Sequence, residues 1–161
     1  MGFPVQTKQT FRKHVDQFAA RTGSKKGVTP VRGMLMVLNE MVKDYYNGDK
    51  LILKSDTEVK TVDLATLVKE LQQSAKYEEA IQAEPLHVIL NESQMAELQD
   101  LKVFLEKTTG QTLPDGAVLA IGGLLMEELL DGKLCSSADT GQTFTIKVLT
   151  ERKVRERTVA Y

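Results

Sequence analysis

"FPVQTKQTF", residues 3–11, alternates residues that can pack with residues that can hydrogen-bond. Side chains of an extended strand point alternately to opposite faces. Phe3, Val5 and Thr7 therefore share one side, and Gln6, Lys8 and Thr10 share the other. That second row lines up an amide, an ammonium and a hydroxyl. A later stretch, "PLHVILN" (85–91), alternates in the same way: Leu86, Val88 and Leu90 suit a core, leaving His87, Ile89 and Asn91 outward.

The segments downstream of the two strands are also similar. "FRKHVDQFAARTG" (11–23) and "QMAELQDLKVFLEKTTG" (94–110) have helical apolar spacing and end in Thr-Gly, where glycine can take the left-handed conformation that closes a helix. "TPVRGMLMVLNEMVKDYYNG" (29–48) and "LPDGAVLAIGGLLMEELLDG" (113–132) align at an offset of 84, Pro30 on Pro114 and Gly48 on Gly132. The segments after them align at an offset of 83 through Lys50-Leu51 with Lys133-Leu134 and Asp56-Thr57 with Asp139-Thr140. The expectation is an α+β, mainly helical fold of two tandem strand-helix-turn-helix repeats, each followed by a short β-hairpin. Residues 1–62 form the first repeat, 63–84 a connecting helix, and 85–161 the second repeat with a C-terminal hairpin.

Local signals fill in the helices. Thr29 can cap the second helix, with Pro30 at its first position, and Val31, Leu35, Leu38, Val42 and Tyr45 form its stripe. Ser93 is the expected cap of the helix carrying Leu98, Leu101, Phe104 and Leu105, and Thr112 with Asp115 resembles a capping box. The last helix is apolar nearly all round, which places it in the middle of the fold. Gly122-Gly123 within it costs about 1 kcal/mol per glycine relative to Ala, so either another backbone approaches there or the packing is loose in a helix already held by tertiary contacts.

Composition narrows the class. The 161 residues are 42% hydrophobic and 27% charged, as in a folded globular chain. No apolar run approaches the ~18 residues of a membrane span, and no secretory signal opens the sequence. With one cysteine, Cys135, the expected compartment is the reducing cytoplasm. The net charge of −1 conceals a split: residues 1–50 carry nine Lys/Arg against four Asp/Glu, and residues 86–135 carry three against eight. The basic half holds the opening strand.

Strand, helix, glycine-containing turn and helix over residues 3–48 and 86–132 resembles the ribbon-helix-helix fold of Arc- and MetJ-like DNA-binding proteins. The resemblance implies that the two strands pair as an antiparallel ribbon that enters the major groove of double-stranded DNA. Gln6, Lys8, Thr10, His87 and Asn91 would then contact bases, while Thr29 and Thr112 hold phosphates at helix starts, aided by Lys25 and Lys26. One chain would be a monomeric pseudo-dimer, or else form a homodimer, and would act as a transcriptional regulator or an accessory factor of a phage or plasmid. Ile89 and the acidic second half depart from a symmetric DNA reader. They keep open an alternative, a protein-interaction module that oligomerises or inhibits a nucleic-acid enzyme without reading DNA.

Catalysis is not expected. The two histidines, His14 and His87, lack motif neighbours, Cys135 has no Cys/His ligand cluster, and phosphate-loop, dinucleotide and zinc-protease motifs are missing. Glu127-Glu128 reads as a solvated helix face, and His14 as a polar helix residue. No cofactor and no metal are expected.

Overall fold

The structure is a computed structural model that describes residues 2–22, 28–54, 57–132, 134–136, 143–151 and 154–160. The chain runs β1 (Phe3–Lys8), α1 (Gln9–Thr22), α2 (Val28–Tyr46), β2 (Leu51–Lys54), β3 (Val59–Val62), α3 (Leu64–Gln72) and α4 (Ala75–Gln82). It continues with β4 (Pro85–Leu90), α5 (Glu92–Thr109), α6 (Asp115–Gly132), β5 (Leu134–Ser136), β6 (Thr143–Leu149) and β7 (Val154–Ala160). The fold is thus α+β and mainly helical, with three small antiparallel sheets among the described residues: β1 with β4, β2 with β3, and β5-β6-β7. The last two sheets touch through a bridge between Leu51 and Thr150.

The α6 helix is the centre. Val118, Leu119, Ile121, Leu125, Met126 and Leu129 are each at most 2% exposed, as its lack of a polar face requires. It contacts α1 and β1 on one side and α5, α3 and α4 on others. One apolar cluster draws on Val5 and Phe18, Leu38, Leu67, Leu98 and Leu105, and Val148, so both halves of the chain contribute to the same core. Across it, α2 packs on α5, where the Tyr45 and Phe104 rings meet edge-to-face with centroids 5.5 Å apart and Asn39 Nδ2 donates to the Glu97 carbonyl at 2.9 Å.

Several helix ends depart from the sequence reading. Ser93 does not cap α5. Asn91 does, accepting from the Gln94 N–H at 2.8 Å while Gln94 Oε1 accepts from the Asn91 N–H at 2.8 Å, a reciprocal arrangement that satisfies two free donors at once. Gly110, at φ 69°, closes the same helix. Thr112 caps nothing, because α6 starts at Asp115 and Pro114 supplies the carbonyl that accepts from Ala117 and Val118. Thr29 lies inside α2, which begins one residue earlier at Val28. The single connecting helix expected within 63–84 is two. Ser74 interrupts it by donating to the Leu71 carbonyl and accepting from the Tyr77 N–H, a local competition typical of serine.

Candidate nucleic-acid interface

The strands that open the two halves form one ribbon. Their register pairs Phe3 with Leu90, Pro4 with Ile89, Val5 with Val88, Gln6 with His87, Thr7 with Leu86 and Lys8 with Pro85. Alternation then decides which side faces the core. Val5, Thr7, Leu86 and Leu90 are buried, whereas Pro4, Gln6, Pro85, His87 and Ile89 are exposed and Lys8 is half-buried. The outward face of these strands carries an amide, an ammonium and an imidazole, and no carboxylate.

The ribbon is seated on the first turn of α6. Thr7 Oγ1 donates to the Gly116 carbonyl at 2.7 Å. The Gln6 carbonyl oxygen lies only 1.8 Å from where a Cβ on Gly116 would stand, so the strand can approach this closely only over glycine. The close backbone approach, one of the two readings of Gly122-Gly123, is found instead at Gly116. At Gly122 the neighbours are the Leu101 and Leu38 side chains, and at Gly123 the imidazole of His14. At the far end of the ladder, the Gln9 N–H donates to the Glu84 carbonyl and Gln9 Nε2 to the Pro85 carbonyl.

The residues singled out from sequence divide into three groups. Gln6, Lys8 and His87 come together on the outward face. Thr10 does not join them: the paired strands end at Lys8 and Pro85, one further hydrogen bond from Gln9 to Glu84 closes the ladder, and the chain turns into α1 at Gln9. The Thr10 hydroxyl is buried in the first turn of α1. Asn91 comes directly after the last paired residue and its side chain is engaged in capping α5. Thr112 is an exposed loop residue three positions before α6. Lys25 and Lys26 lie outside the described residues, as does the side chain of Thr29.

Two features escaped the sequence reading. Arg12 borders a groove of about 350 Å³ that Leu86 and Val88 of β4 also line, placing a cation beside the ribbon, with the carboxylate of Asp16 on the same groove. Its neighbour in sequence, Lys13, is also exposed. The other feature is internal. His14 is 3% exposed, and its Nε2 lies 2.7 Å from Glu127 Oε2; an ionised carboxylate only accepts, so Nε2 carries the proton. Lys76 of α4 stands 3.6 Å from the other oxygen of Glu127. Burial holds the imidazole below its ordinary value of 6.5 against the pull of Glu127. Burial also works to raise the Glu127 carboxyl, but the hydrogen bond from His14 and the charges around it hold it below the usual range. Neither the solvated Glu127 nor the merely polar His14 of the sequence reading is found; they form a tie between α1 and α6. A lone histidine and one glutamate 113 residues apart give no sequence signal for such a pair.

Among the described residues, no three His, Cys, Asp or Glu side chains are grouped to hold a metal ion, and no helix is long and apolar enough to cross a membrane. No protein-family model, curated protein or solved structure matches this chain.

Proposed function

We propose that the chain is a duplex-DNA-binding protein of the ribbon-helix-helix kind, in which the two tandem units supply one ribbon strand each. The observation that carries this reading is the β1–β4 face, where Gln6 and His87 stand side by side, Lys8 lies next along the strand, and no carboxylate intrudes. Six residues at ~3.3 Å each make a ribbon roughly 20 Å long, and a two-stranded ribbon enters the ~12 Å-wide major groove. Gln6 suits adenine N6/N7 and Lys8 suits guanine O6/N7, each good pair discriminating by about 1–3 kcal/mol. Arg12, with Lys25, Lys26 and Thr29, supplies sequence-independent contacts to phosphates. A role as a transcriptional regulator or as an accessory factor of a phage or plasmid accords with this reading, with no catalytic step assigned to any residue.

The exposure of Ile89 (73%) and Phe3 (41%) favours the other reading, a docking surface for a protein partner. Fluorescence anisotropy with a random duplex at two salt concentrations separates the two. DNA binding predicts saturable binding whose log K falls steeply with log salt; salt-independent or absent binding contradicts it. Within the DNA reading, Lys8→Ala lowers affinity for a selected site more than for random duplex. Lys25→Ala lowers both alike.

A further inference from the structure

The outward face of the ribbon has a centre and two ends. Gln6 faces His87 at the centre, Lys8 faces Pro85 at one end, and Pro4 faces Ile89 at the other. A half-turn about an axis through the central pair, perpendicular to the ribbon, exchanges the two strands. It carries Pro4 onto Pro85, and so leaves those positions chemically the same. It also carries Lys8 onto Ile89, and there an ammonium meets an aliphatic group. Each lies two residues from the centre, so the two are roughly 13 Å apart along the ribbon, about four base pairs at ~3.4 Å per step.

Among the described residues, Ile89 is the most exposed of the large hydrophobic side chains, at 73%. The backbone of Gly2 runs beside it, so that a Cβ at position 2 would come within 2.3 Å of Ile89 Cγ2; glycine leaves room for the isoleucine to stand out from the face. In the major groove the thymine C5-methyl is the apolar feature available to such a side chain, while guanine offers two acceptors to a lysine.

We propose, on the basis of the DNA-binding reading above, that the ribbon recognises a non-palindromic duplex site in one fixed orientation. Lys8 specifies guanine in one half-site, and Ile89 specifies thymine in the other. Ile89 is then a specificity-determining residue, and the difference between the halves serves to give the complex a direction along the DNA.

The test is selection of bound sequences from a random duplex pool by the full chain, for wild type, Ile89→Lys and Ile89→Ala. Circular dichroism checks that each variant folds, as substitution of so exposed a side chain should allow. The expected wild-type consensus has unequal halves, and replacing either half by a copy of the other, which makes the site palindromic, lowers affinity about tenfold. Ile89→Lys shifts the thymine half toward the guanine half, and Ile89→Ala relaxes that half alone. A palindromic wild-type consensus, or a consensus unmoved by Ile89→Lys, overturns the inference while leaving DNA binding intact. Binding of random duplex without enrichment of any sequence does the same. Failure to bind any duplex, or capture of a protein partner through Ile89 in its place, removes the DNA-binding reading and the inference with it.

Discussion

Gly116→Ala is the substitution to which the ribbon should be most sensitive. A methyl there would sit 1.8 Å from the Gln6 carbonyl oxygen, 2.8 Å from its carbon and 3.1 Å from Thr7 Cα. Carbon–oxygen contacts settle at ~3.3 Å or more, so β1 must retreat by roughly 1.5 Å. Every atom in the way is backbone, and no rotamer change relieves the clash. The retreat also stretches the 2.7 Å hydrogen bond from Thr7 Oγ1 to the Gly116 carbonyl beyond bonding distance. Overpacking of this kind costs about 1–3 kcal/mol, and leaving a buried polar group unpaired costs about 1–3 kcal/mol more. Alanine returns about 1 kcal/mol through its better helix propensity. The expected net loss is about 3 kcal/mol, read from urea unfolding, together with weaker duplex binding because the ribbon is displaced. Gly122→Ala is the control: its Cβ would meet only side-chain methyls, at 3.3 and 3.4 Å, so a change within about 1 kcal/mol is expected. Gly116→Ala at or above wild-type stability would refute the seating of β1 on α6.

Stability should fall in acid for a nameable reason. His14 titrates below 6.5 in the folded chain, so the unfolded chain binds its proton first. That contribution is complete above about pH 6.5 and declines as the pH drops below it. Glu127, also lowered, acts in the same direction at lower pH, its contribution being lost as the pH falls through its folded value. Urea midpoints between about pH 7.5 and 5 should therefore fall for wild type and fall less for His14→Asn. Equal slopes would contradict the buried imidazole. Asn91→Ala should cost about 1 kcal/mol by removing the cap of α5, whereas Asn91→Ser, which can still cap, should cost only a few tenths; urea unfolding of both variants checks this. Thr10→Ala should leave duplex affinity within about twofold while Lys8→Ala reduces it about tenfold or more, since a good base contact carries about 1–3 kcal/mol. Equal losses in an anisotropy titration would return Thr10 to the reading face.

The strands and the apolar helix were legible because their patterns are period-two alternation and a continuous apolar run, and both survive in a single sequence. The pairing of β1 with β4 was expected through resemblance, and alternation then assigned Gln6, Lys8 and His87 to the outward side. The errors fell at boundaries. Thr10 continues the alternation of residues 3–9, but the strand pairing ends where its partner strand begins, at Pro85, and that limit lies 75 residues away in the chain. Asn91 and Ser93 are both good caps, and the choice was made by Gln94, three residues after Asn91, closing the reciprocal bond. Ser74 broke a helix that apolar spacing alone would have continued. Gly116 and the His14–Glu127 tie depend on contacts between distant segments, and the identity of one residue says nothing about such neighbours.

DNA binding through the ribbon requires that the face bearing Gln6, Lys8, His87 and Ile89 lie against the duplex. Amide chemical-shift mapping of the full chain during titration with a short random duplex addresses this residue by residue. The largest changes are expected on the amides of residues 5–8 and 86–89 and on the first turn of α1, with α3 and α4 unmoved. Changes confined to other helices, or none at saturating duplex, would contradict a reading face on the ribbon.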